Sequence, residues 1–373
     1  MLIQALPRSL SQSRFVGGSS AKRCLCLIRS FLGFAIFCSL TQLNAFAKSE
    51  APIEARVEAC GQTSPVSSVG DAADDPAIWI HPSNPNSSLI LGTDKKKGLA
   101  AYDLDGNLKQ FLELGPVNNV DLRASIRVGT LDKDLVVLSH RQHRSIDIVE
   151  IKSDASLSFA ARIPTNLPDV YGICMHKTAS GAAEVFINSK SGRLQHYMLQ
   201  LQQGQLAGVL KQEWSFSSQI EGCVVDDATG IIFVGEEAKG VWAIPFNTGA
   251  TSPRLVLEVG PWLKADVEGL ALAPHKARGP LLIVSSQGDH QFVVLRATSP
   301  FEIIGRFSVV GSTEKGIDAV TSTDGIEVYA APVGTKYPRG LMVVQDGSPA
   351  KSAGTQNFKI VCWEDVLTAL RLN

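Results

Sequence analysis

The chain has 373 residues, with 35 basic and 36 acidic side chains and 45% hydrophobic residues. Residues 1–47 carry five of the basic residues and no acidic one, so the remainder holds 30 basic against 36 acidic residues, a net charge of −6. That balance argues against nucleic-acid binding and suits a protein that collects cations.

The chain opens with Lys22, Arg23 and Arg29 ahead of an apolar stretch from Ser30 to Leu40. Ala45-Phe46-Ala47 follows as a small-residue cleavage motif, then polar Lys48-Ser49-Glu50. This order reads as an export signal over residues 1–47, with an apolar part too short to span a bilayer comfortably. The mature chain, residues 48–373, is expected to be secreted or periplasmic, a monomer without membrane contact. Cys24, Cys26 and Cys38 leave with the signal, while Cys60, Cys174, Cys223 and Cys362 stay. Four cysteines allow three pairings, and their spacing shows no C-x-x-C zinc or redox pattern. Cys174 and Cys223 sit in apolar runs and read as buried free thiols.

The stretch that organises the chain is Gly70-Asp71-Ala72-Ala73-Asp74-Asp75-Pro76-Ala77-Ile78-Trp79. Three carboxylates within five residues repel, and a hard cation with oxygen ligands offsets that repulsion. A lone motif of this kind reads as a solvated acidic turn. This one recurs as Glu221-Gly222, Glu236-Glu237, Asp266-Val267-Glu268-Gly269, Asp318, Asp324-Gly325 and Asp346-Gly347, each near an apolar run.

After residue 48 the apolar runs are short and bounded by turn formers, which predicts strands. They come in pairs, Leu89 to Leu104, Val185 to Leu199, Ile231 to Pro245 and Leu281 to Arg296. That recurrence, roughly every 45 to 55 residues, is the spacing of propeller blades and predicts about six of them. The expected fold is all-β, a six-bladed β-propeller in one domain, with a short helix over Trp363 to Leu372. Asp103-Leu104-Asp105-Gly106-Asn107 reads as an Asp-Gly hairpin turn, and Asn118-Asn119-Val120-Asp121 read alone is an Asx turn.

Lys95, Lys96, Lys97, Arg141, Arg144 and Lys190 follow strands. Each alone reads as a solvated turn, but basic loops facing acidic ones suit an anionic substrate carried with divalent cations. There is no G-x-S-x-G elbow, Walker A loop, H-E-x-x-H or cysteine-phosphatase loop. With no evident nucleophile, a metal-activated water is the plausible attacker.

Together these residues resemble a known family. The ordered set Gly70 to Trp79, Lys95-Lys96 with Gly98, Asn118 to Arg123, Val170-Tyr171-Gly172, Glu221 to Cys223, Glu236-Glu237 and Asp266 to Leu270 is similar to the calcium-dependent β-propeller phytases. Ser285 to Gly288, Thr323 to Ile326, Lys336 to Pro338, Gln345 to Gly347 and Asn357 to Lys359 continue it to the C-terminus. The resemblance implies release of phosphate from myo-inositol hexakisphosphate, taken as calcium-phytate, without a covalent phosphoenzyme. It implies that Asp74, Glu221, Glu237, Asp266, Glu268, Gln287 and Asp324, joined by Asp71, hold several Ca²⁺ ions at the channel mouth. Lys95, Lys96, Arg141, Tyr171 and Lys190 would then bind substrate phosphates. Asp75, the carbonyls of Pro76 and Val120, Asp318 and Asp346 would bind tighter structural calcium. The chain departs from the pattern at Gln62, Ser191, Ser322 and Ser348-Pro349. The alternatives are a calcium propeller of lactonase type and a non-enzymatic interaction module.

Overall fold

Valine, isoleucine and leucine fill the short runs between turn formers, and in a computed structural model these runs are strands. The residues described are 51–248, 252–349 and 354–373, so the expected signal over 1–47 lies outside them. The strands form six sheets, five of four strands and one of five.

Blade I comprises Ala73–Trp79, Leu89–Asp94, Gly98–Tyr102 and Leu108–Glu113. Blade II is Val117–Val128, Leu131–His140, Ser145–Ile151 and Leu157–Pro164. Blade III is Ile173–Lys177, Ala183–Asn188, Arg193–Gln202 and Gln205–Ser215. Blade IV is Ile220–Asp226, Ile231–Glu236, Gly240–Pro245 and Arg254–Glu258. Blade V is Val267–Ala273, Leu281–Ser286, Gln291–Arg296 and Ile303–Val310, and blade VI is Ile326–Tyr329, Leu341–Asp346 and Asn357–Cys362.

The N-terminal segment closes the ring. Ile53–Glu58 pairs in parallel with the outer strand of blade V, and Gly61–Gln62 adds an antiparallel fourth strand to blade VI. The first strands of successive blades pack in a cycle, I through VI and back to I, as a propeller requires. Apolar clusters fill the spaces between sheets, with Phe186 and Trp214 between blades III and IV, and Phe292, Phe307 and Trp363 on the closing side. The C-terminal helix spans Trp363–Ala369 and buries Trp363, Val366 and Leu367. No helix among the described residues is long and apolar enough to cross a membrane.

Two expectations are corrected. Cys174 and Cys223 are not free thiols but a disulfide, with Cα atoms 5.8 Å apart across the first strands of blades III and IV. Both runs are apolar because the junction is buried, and burial alone does not distinguish a thiol from a bridge. Asn118 to Asp121 is not a turn but lies within the first strand of blade II. The Asp-Gly turn at Asp103 to Asn107 is present, with the Asp103 carboxylate accepting from the Asp105 and Asn107 amides.

Candidate active site

One positional rule gathers the candidate residues. In every blade the first strand starts, and the antiparallel second strand ends, at the same mouth of the channel. Blade I brings Asp74 and Lys95 there, blade II Asn118 and Arg141, and blade III Tyr171 and Lys190. Blade IV brings Glu221 and Glu237, blade V Asp266, Glu268 and Gln287, and blade VI Asp324 and Asp346. The ends of second strands are thus basic in blades I to III and acidic or amide in blades IV to VI.

Glycines let the first strands converge. A Cβ on Gly172 would stand 1.9 Å from the Glu221 carbonyl oxygen, and one on Gly269 2.8 Å from the Asp324 carbonyl oxygen. The amide of Gly269 donates to that Asp324 carbonyl at 2.9 Å, and the Gly325 amide donates to the Asp74 carbonyl at 3.0 Å. The pairs Glu221-Gly222, Glu268-Gly269 and Asp324-Gly325 therefore couple a carboxylate with a close backbone approach. Register shifts break the ladders between Ala73 and Pro76, Val117 and Val120, Ile220 and Cys223, and Val267 and Leu270. Such irregularities re-aim side chains, and here they coincide with the site residues.

Glu221, Glu237 and Glu268 offer carboxylate oxygens that all lie within 4.8 Å of one another. Glu221 is 3% and Glu268 6% exposed. Burial, then the neighbouring Glu268 and Asp74, push the Glu221 carboxyl well above its ordinary range. Burial raises Glu268 to about 8 despite a hydrogen bond with Glu221. Burial and Asp74 raise Asp324 to about 7. Asp74 is raised by burial against the pull of Lys95. Two of these groups have a buried oxygen without a partner, Asp74 Oδ1 and Glu268 Oε2. Clustered carboxylates held so far above their usual range call for a cation, and the all-oxygen donor set fits a hard one.

The other residues surround this cluster. Asn118, fully buried, donates from its side-chain amide to Glu221 Oε1 at 2.8 Å. Gln287 donates to Asp324 Oδ1 at 2.7 Å, and Gln219 donates to Glu237. Burial and Glu221 raise the Tyr171 phenol, and the Lys190 ammonium lies 4.2 Å from the Tyr171 ring centre. Asp266 is exposed on the rim, and burial, then the Asp266 charge, raise Glu237. Arg141 is exposed on the opposite rim. Lys95 is drawn to three carboxylates. Its ammonium lies 2.7 Å from Asp71, 3.2 Å from Asp74 and 3.5 Å from Asp324. Lys96 points away, to the Val69 carbonyl.

The residues expected to hold structural calcium fall into two surroundings. Asp75, Pro76 and Val120 line a cavity of about 440 Å³ further along the channel, with Asp121, Arg123 and Glu327. There Asp75 Oδ2 accepts from the Val120 amide at 3.0 Å. Asp318 and Asp346 instead flank Lys359, whose fully buried ammonium lies 2.9 Å from each. The Ser348 amide also donates to Asp346. Glu236, next to Glu237, is turned into blade IV, where Ser217, Ser218 and Trp242 donate to it.

Sequence reasoning assigned no role to Asn118, although it occupies in blade II the position that carboxylates occupy in blades I and IV. Its signal was the position in the blade, not the residue type.

The profile of the Phytase family matches residues 26–372. The chain is 32% identical to the 3-phytase of Bacillus subtilis (strain 168) over 353 residues, covering 91% of this chain and 92% of that protein. Among solved structures, BBS1N in complex with ARL6DN is similar at a TM-score of 0.46 and 11% identity, over 76% of this chain and 77% of that one. The family match spans nearly the whole ring and every site residue described above, and the chain belongs to the Phytase family.

Proposed function

We propose that this phytase releases phosphate from myo-inositol hexakisphosphate at the carboxylate mouth, with calcium as its resident cation. The observation that carries the reading is the cluster of Glu221, Glu237 and Glu268, at the same mouth as the basic residues that end the second strands of blades I to III. Asp74, Asp266, Asp324 and Gln287 complete the donor set, and Asp71 extends it on the rim. Calcium bound there supplies neutralising charge and Lewis-acid activation of water and of phosphoryl oxygens.

The chain's own residues then divide the work. Glu221, Glu237 and Glu268 hold the cation, and Asn118 fixes the orientation of Glu221 through its 2.8 Å hydrogen bond. Arg141 and Lys190 bind phosphate oxygens, the arginine by its fork and the lysine by its point charge. The Tyr171 ring positions the Lys190 ammonium. Lys95 neutralises Asp71, Asp74 and Asp324, which keeps three carboxylates together at the rim. No side chain is assigned as nucleophile, so the attacking group is water and no phosphoenzyme forms.

Phosphate release from phytate in stepped free calcium is the test. Activity is expected to vanish in excess chelator and return with calcium. Full turnover in chelator would remove calcium from the reading, and no release at any calcium level would remove phytate. Export of a monomer to the periplasm or medium is part of the same proposal. Fractionation of cells and light scattering of the purified chain check it.

A further inference from the structure

We infer that Cys60 and Cys362 are the site of a second disulfide, which fastens the N-terminal segment to the last strand of the ring. Both thiols are free and half-buried. They pack on the same apolar cluster, beside Phe358, Ile360 and Tyr337. Cys60 lies against the strand that Cys362 ends, since the next residue, Gly61, pairs with Ile360.

The backbone holds them there. The Ala59 amide donates to Val310 of blade V at 3.0 Å, and the next amide, Cys60, donates to Ile360 of blade VI at 2.8 Å. Cys60 is therefore the residue at which the N-terminal segment passes from one blade to the next. Cys362 ends the strand Asn357–Cys362, the last of the ring. Neither sulfur belongs to the channel site, and Cys174 is already bonded to Cys223. The four mature cysteines thus sort into two neighbouring pairs, one at the junction of blades III and IV and one at the closure.

The contact favours the chemistry. Cys362, the less enclosed of the two, is the sulfur that meets a reagent first. A thiolate is the attacking species in disulfide exchange. With oxidised glutathione, Cys362 attacks one sulfur of the reagent, forming a mixed disulfide and releasing one glutathione thiol. Cys60 then loses its proton and attacks the Cys362 sulfur, releasing the second glutathione thiol. The protein loses two electrons and two protons, and the reagent's one S–S bond becomes two S–H bonds.

A bridge here constrains almost the entire unfolded chain, which is where a cross-link restricts most. The expected readout is a rise in Tm of about 5 °C on oxidation. The test incubates the full folded chain in oxidised glutathione, blocks residual thiols with an alkylating reagent during denaturation, and maps peptides by mass spectrometry without reduction. The expected result is a linked peptide pair containing Cys60 and Cys362, with Cys174–Cys223 intact. Cys60→Ser and Cys362→Ser are expected to lose that pair and the Tm rise together. Cys60→Ala serves the same purpose should serine disturb packing. Two alkylated cysteines, two separate glutathione adducts, or a pairing with Cys174 or Cys223 would each overturn the inference. These results come from the unmutated protein and do not depend on a variant folding.

Discussion

A Cβ atom on Gly222 would stand 2.1 Å from the carbonyl oxygen of Glu268, so the first strands of blades IV and V meet where no side chain fits. Gly222→Ala must push the two strands apart, and each carries a carboxylate of the central cluster. We expect kcat to fall by at least tenfold, with more calcium needed for half-maximal rate. Kinetics at stepped calcium check this, and wild-type values would show that the strands can part without moving the cluster.

Asn118 is a positioning residue, acting through Glu221. Asn118→Ala leaves Glu221 Oε1 without its 2.8 Å donor and loosens the hold on the carboxylate. The expected change is a drop in kcat of about tenfold or more, as loss of a charged hydrogen bond in a buried site implies. KM for phytate should stay within about twofold. Asn118→Gln, which keeps the amide, should recover part of the rate, whereas a purely structural role predicts no recovery.

Lys95 and Lys190 should separate in their kinetics. Lys190 stands over Tyr171 on the basic side, so Lys190→Ala is expected to raise KM more than it lowers kcat. Lys95 is bound by Asp71, Asp74 and Asp324, so Lys95→Met leaves their charges uncompensated. That variant should change the calcium dependence and kcat together. Equal KM effects from both substitutions would place Lys95 on the substrate instead.

Lys359 is a fully buried ammonium between Asp318 and Asp346. Removing one partner from a buried ion pair is strongly destabilising, by about 3–5 kcal/mol. Lys359→Met should therefore lower stability on that scale in chelator. If a cation can take the ammonium's place between these carboxylates, added calcium should restore part of the loss. Denaturant unfolding with and without calcium measures both effects.

Glu184 supplies a pH signature away from the site. Burial raises its carboxyl, but the hydrogen bond with His176 and the nearby His196 outweigh it and hold the group at about 2. A folded value below the unfolded one gives stability that is present above the unfolded value and lost as pH falls towards about 2. Tm should therefore drop between pH 4.5 and 2.5 by more in the native chain than in Glu184→Gln. Parallel acid titrations of Tm would show the idea to be wrong.

Much of the ring was legible because the sheet interiors leave an apolar record. Runs such as Leu89 to Thr93 and Ile231 to Gly235 are buried on both faces and bounded by turn formers, and they are strands as expected. The Glu-Gly and Asp-Gly pairs were visible too, but their reason was not. It lies in the approach of neighbouring blades, which no local window contains. The Cys174–Cys223 bridge was missed for the same cause, since its partners are 49 residues apart and meet only when blades III and IV pack. Ile53–Glu58 carries alternating polar residues, with Glu54, Arg56 and Glu58 exposed, and its partner lies near the far end of the chain. That Lys95 lies among three carboxylates was not legible either, because a lysine after a strand says nothing of the side chains that fold around it.

The way the ring is closed also sets the order in which it can be made. Residues 53 to 62 leave the ribosome long before their partners, Ile303–Val310 and Asn357–Cys362. Synthesis runs from the N-terminus, so the earliest segment must wait, unpaired, until nearly all the chain exists. Until it docks, the outer strand of blade V and the last strand of blade VI each keep an open edge, and an open sheet edge is a template for pairing with another chain. The segment that opens the ring in sequence is thus among the last to find its place. A nascent chain halted before residue 357 has no third strand in blade VI for it to join.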